Sequence, residues 1–104
     1  MKDFKDLYND FHKHLTNLGF TCNTSRNKNV ATFYLGDYEL ISVEILYENI
    51  WYRTYPNNED KWNSFYDATK DDISYLKELA VRLVKMYKHK QVVLAKKAIE
   101  KDFQ

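Results

Sequence analysis

Apolar residues recur at spacings of three and four along the start of the chain. Phe4, Leu7, Tyr8, Phe11, Leu15 and Leu18 fall on one face of a helix over residues 3–18. Asp3 is placed to cap its free N–H groups. Gly19 stands where a left-handed terminating residue is needed, with Phe20 folding back on Leu15. The period then changes to two. Phe20 to Thr24 reads as a short strand, and Ser25-Arg26-Asn27-Lys28-Asn29 as a loop. Val30 to Leu35 is a second strand, closed by a turn at Gly36-Asp37. From Glu39 to Tyr47, Ile41, Val43, Ile45 and Tyr47 alternate with Ser42, Glu44 and Leu46, the pattern of a half-buried strand.

A two-residue loop at Glu48-Asn49 returns the chain through Ile50 to Tyr55, where Pro56 stops it. In that register Ile45 faces Tyr52 and Val43 faces Thr54 on the inner side, while Leu46 faces Trp51 and Glu44 faces Arg53 on the outer. The preceding turn fits less simply and calls for a three-residue loop or a bulge near Leu40.

Helical spacing resumes at Trp62, Phe65, Tyr66 and Thr69, with Asn57 or Asn58 as cap, and Thr69-Lys70-Asp71-Asp72 is a second capping signal. Beyond it Ile73, Leu76, Leu79, Ala80, Leu83, Val84 and Tyr87 form a strong stripe. The stripe loses phase through Lys88-His89-Lys90-Gln91, which predicts a break or kink. An unbroken helix from 71 to 102 would be about 48 Å long and would overhang a compact body. Its apolar residues Val92, Ala95, Ala98, Ile99 and Phe103 would need cover from this domain or from another chain.

The order predicts an α+β two-layer sandwich: an N-terminal helix, an antiparallel meander of three or four strands, then two or three C-terminal helices. One hundred and four residues make one domain over 1–104, with residues 90–104 open to being a separate terminal helix. No apolar run is long enough to span a bilayer, and the mixed-charge N-terminus leads into no signal-peptide core, so the expected location is cytoplasmic. Thirteen Lys against three Arg, with nine Asn, two Gly and one Pro, is the bias of AT-rich codons and hints at a low-GC bacterium, its phages or a prophage.

The net charge of +1 hides a segregation. Residues 37–72 hold nine acids against three bases, and residues 82–101 hold seven bases against Glu100 alone. Either the two stretches attract each other within the fold or the basic tail meets a partner.

Candidate chemistry is sparse. Asp6, Asp10 and His14 share a helix face with metal-ligand types, but such spacings are common by chance and a solvated face is the favoured reading. Cys22 with His12 or His14 is the one thiol–imidazole option, against the ordinary role of a lone cysteine as a small buried hydrophobe. With Gly19 and Gly36 as the only glycines, there is no phosphate-cradling loop and no nucleophile elbow. A domain with the helix–strands–helix order of double-stranded-RNA-binding domains should carry basic residues at the start of its last helix; here Lys70-Asp71-Asp72 is mostly acidic.

The resulting expectation is a non-enzymatic binding protein with no catalytic residues, cofactor or metal. Its partner is first a protein, including a second copy of itself, met through Leu46, Trp51, Arg53 and Tyr55 with the terminal helical segment. The alternative is a nucleic acid held by Lys85, Lys88, Lys90, Lys96 and Lys97, with Tyr34, Trp51 and Tyr55 to stack on bases.

Overall fold

The computed structural model of the chain describes residues 3–102, with side chains through Lys97. Helix α1 (Phe4–Leu18) is followed by strands β1 (Thr21–Thr24), β2 (Val30–Leu35), β3 (Tyr38–Glu44), β4 (Asn49–Tyr52) and β5 (Asn63–Phe65), then by helix α2 (Lys70–Asp102). The strands form one antiparallel sheet in chain order. The α+β class and the terminal helices are as predicted, but there are five strands where three or four were expected, and one helix after the sheet where two or three were expected.

The ends of α1 match the sequence signals. Asp3 accepts from the Asp6 N–H, and Gly19 terminates the helix at φ 107°. The Phe20 N–H donates to the Leu15 carbonyl, which fixes the exit of the chain while both side chains enter the core. The Thr69 signal is a reciprocal capping box. The Asp72 N–H donates to the Thr69 hydroxyl and the Thr69 N–H donates to the Asp72 carboxylate.

The β2–β3 hairpin closes at Gly36-Asp37 with Leu35 opposite Tyr38, and the register shifts between Phe33 and Tyr34. Leu40 is the extra residue, so the bulge falls where it was expected. Gly36 takes φ 59°, and a Cβ there would lie 2.6 Å from the Tyr87 hydroxyl oxygen. Only glycine meets both conditions.

The β3–β4 hairpin differs. Val43 pairs with Ile50 and Ile41 with Tyr52, around a four-residue turn at 45–48. Asn29 explains the difference. Its carbonyl accepts from the Ile45 N–H and its side-chain oxygen from the Leu46 N–H, donors that a longer hairpin would have spent on β4. The pairing is displaced by four residues, an even number, so Ile41, Val43, Ile50 and Tyr52 keep their predicted inner face and Trp51 its outer one, whereas Leu46 and Tyr47 pass into the turn and Thr54 lies beyond β4, exposed. The contact between Glu44 and Arg53 does not form; Asn49 donates to Glu44 instead.

Residues 59–69 do not form a helix. Asn57 accepts from the N–H groups of Glu59 and Asp60, one turn that is not propagated. The chain then adds β5 to the open edge of β4, pairing Trp51 with Ser64. This satisfies an edge that would otherwise expose its ladder groups. Phe65 enters the inner face, stacked 5.1 Å from the Tyr52 ring and edge-on to Tyr75 of α2.

Both helices cover the inner face, and both start at the end of the sheet where the β3–β4 turn lies, with Asp3, Phe4, Thr69, Lys70 and Glu48 around one cleft. The core joins Phe11 and Leu15 of α1, Ala31, Phe33, Ile41, Val43 and Ile50 of the sheet, and Leu76, Ala80 and Leu83 of α2. Burial between α1 and β1, reinforced by Cys22, pushes the Tyr8 phenol up to about 12.

The predicted break in α2 is absent. The core stripe passes through Tyr87 to position 90, where Lys90 takes an apolar residue's place. Its ammonium donates to the Pro56 carbonyl at 2.9 Å and lies 4.4 Å from the Tyr38 ring centroid. The stem packs and the charge is satisfied at its tip, so the phase is kept. Thirty-three residues make a helix of about 50 Å. The molecule measures 59 × 27 × 24 Å, with a radius of gyration of 15.5 Å against about 13 Å for a compact chain of this length. The last turns therefore run past the body.

Candidate interaction surfaces

The structure disperses the predicted protein-binding residues. Leu46 lies in the β3–β4 turn, three-quarters exposed. Trp51 is half-buried on the open face of the sheet, edge-on to the exposed Tyr66 at 6.3 Å. Tyr55 follows the end of β4 and stands against α2, with Lys90 5.8 Å from its ring. No single surface unites them.

Arg53 is a correction. It is 8% exposed, donates to the carbonyls of Glu39 and Asp60, and lies 4.0 Å from the Trp62 ring centroid. It pins the 53–62 loop to β3 and is not available to a partner. The signal in the sequence was Trp62, an aromatic face nine residues downstream that was read as part of a helix instead.

The open sheet face carries Thr32, Tyr34, Ser42, Glu44, Trp51 and Ser64. It mixes hydroxyls, a carboxylate and two aromatics. Trp62, Phe65 and Tyr66 do not fold over it: Phe65 turns inward, and Trp62 and Tyr66 flank Arg53 and Trp51.

The predicted basic residues divide as well. Lys85, Lys88, Lys96 and Lys97 are exposed, whereas Lys90 is engaged with Pro56 and Tyr38. Among the described residues no ion pair joins the acidic stretch to the basic one; the pair present is Lys77 with Asp10. Among these residues the first of the two alternatives, attraction within the fold, is not realised as ion pairs.

The structure brings together a group of residues that the sequence reading left scattered. Where α2 leaves the body, a cleft of about 460 Å³ opens between the helix and the 53–57 loop, lined by Tyr55, Lys85, Met86, His89, Lys90 and Val93. Met86, Val93 and the ring of Tyr55 give it apolar walls. Three of the six lining residues are basic types and none is acidic. Beyond it Val92 and Leu94 are about half exposed, at 53% and 49%. Lys96 and Lys97 follow Val93 by three and four residues, so they extend the same helix face. Met86 and His89 were missed, although their spacing from Val93 carries the signal. The side chains of Ala98 and Ile99, and all of Phe103, lie outside the described residues.

A second basic cleft, between α1 and the β1–β2 loop, has exposed Lys5, Arg26 and Lys28 at its rim.

The metal and thiol options gain no geometry. Asp10 pairs with Lys77, and the His14 ring lies 3.4 Å from the Lys77 carbonyl, so both are turned to α2. No group of three or more potential ligands occurs among the described residues. Cys22 is half-buried with its sulfur 3.8 Å from the Thr24 hydroxyl, and the His12 ring packs edge-on to Phe33. No helix among the described residues is long and apolar enough to cross a membrane.

Comparison of the chain with protein-family models, with curated proteins and with solved structures finds no match.

Proposed function

We propose that this chain is a small non-enzymatic binding protein that meets a protein partner through the end of α2 and the cleft at its root. One observation carries the reading: α2 continues past the body with about half of the Val92 and Leu94 side chains exposed. A helical extension that only decorated a domain would be polar all round. Here apolar and cationic residues share it, the composition of a surface that is covered when a partner is bound. The codon bias noted above agrees with a phage or prophage accessory protein.

The test joins thermal unfolding to solution mass, for the wild type and a Val92→Glu/Leu94→Glu double variant. If these side chains serve a partner, the monomer's melting temperature is unchanged. If they pack within their own domain, it falls by about 4 °C or more for each kcal/mol lost, and the reading fails. Light scattering at low and high salt then separates two cases. A dimer abolished by the double variant makes the partner a second copy, and a monomer makes it another protein.

A further inference from the structure

The charge at this surface decides which kind of protein it meets. We infer that the cleft at the root of α2 docks an acidic amphipathic helical segment of another protein. This rests on the reading above and names the occupant. Tyr55, Met86 and Val93 supply apolar walls for alternate turns of such a segment, the helix-in-groove mode of recognition. Lys85 and His89 line the cleft, and Lys96 and Lys97 prolong its face outward. A segment with carboxylates flanking its apolar anchors would meet Lys85 at the cleft and Lys96 and Lys97 beyond it.

A second copy fits less well. Two-fold pairing of the free ends would set Lys88, Lys96 and Lys97 of one copy against the same residues of the other, a like-charge arrangement that costs affinity. The last twelve residues of α2 span about 18 Å, and one face of a helix is about 10 Å wide. Pairing those faces covers about 200 Å² per copy, against the roughly 800 Å² of a standard stable interface. A docked segment instead lies partly inside the cleft, walled by Tyr55.

The basic rim would attract phosphates as well as carboxylates, so the experiment sets the two against each other. The probe is a fluorescent synthetic peptide of about 18 residues, or five helical turns, with Leu at i, i+3, i+4 and i+7 and Glu elsewhere. Its counterpart carries Lys in place of Glu, and a mixed-sequence single-stranded oligonucleotide is the third ligand. Anisotropy titrations use the full chain, with circular dichroism confirming that each variant is folded.

The acidic peptide should bind and the basic one should not. Reversal of the rim (Lys85→Glu/Lys96→Glu/Lys97→Glu) should weaken the acidic peptide about tenfold and steepen no unfolding transition. Tyr55→Ala should weaken it to a similar degree while leaving its salt dependence unchanged. Absence of binding, equal binding of both peptides, or tighter binding of the oligonucleotide overturns the inference, as does a stable dimer that occupies the surface. None of these results changes the melting temperature of the Val92→Glu/Leu94→Glu variant, so failure here is distinct from failure of the reading beneath it.

Discussion

Arg53→Ala separates a structural arginine from an interfacial one. In the wild type the guanidinium donates to two backbone carbonyls, of Glu39 and Asp60, and lies over the Trp62 ring. A hydrogen bond from a charged donor is worth about 1.5–3 kcal/mol net, and a partly desolvated cation over an aromatic ring adds about 1 kcal/mol. Asp60 is exposed and Glu39 half-exposed, so water recovers part of the loss at each carbonyl once the side chain is gone. The net expectation is destabilisation of about 3 kcal/mol, a large share of the roughly 5–15 kcal/mol that holds a domain together. Thermal unfolding followed by circular dichroism should show a fall of more than about 10 °C. Arg53→Lys keeps the charge but not the fork, so it should lie between the two. A melting temperature for Arg53→Ala within about 2 °C of wild type would refute the reasoning. It would return Arg53 to the candidate interface, where its loss would appear in binding alone.

Two further predictions concern α2 and the titration of the core. Lys90→Met keeps the packed stem and removes the ammonium from Pro56 and Tyr38; it should cost about 1–2 kcal/mol and speed amide exchange over residues 91–97 measured by mass spectrometry. If exchange there is unchanged, Lys90 does not anchor the helix. The Tyr8 phenol is held up to about 12 from 10.0 by burial, then by Cys22. Tyr52 is shifted the same way by burial, Tyr75 and Asp72. Because the folded state favours the neutral phenol, this stability is fully present below about pH 10 and is lost as the pH rises towards 12. Melting temperatures across that range should fall less steeply in Tyr8→Phe than in wild type, and parallel curves would show that Tyr8 is not buried as described.

The sequence by itself determined the elements whose signals are local. The Asp3 cap, the Gly19 terminus, the Thr69–Asp72 box and the bulge at Leu40 each depend on a few neighbouring residues, and each was legible there. It also determined which residues face inward on β3 and β4, because alternation survives any even displacement of the pairing.

Tertiary structure decided the rest, because the deciding partners are distant in sequence. Asn29 set the β3–β4 register from the β1–β2 loop, 17 residues away from Leu46. The unpaired edge of β4 drew Asn63–Phe65 into a strand against its helical spacing. Pro56, 34 residues from Lys90, let a lysine occupy the core stripe, and α2 is continuous through the expected break. The candidate surface follows the same rule. The exposed lysines of the tail were legible as a charge run, whereas the cleft that gives them an apolar centre exists only because the 53–57 loop packs beside α2, placing Tyr55 against Met86 and Val93.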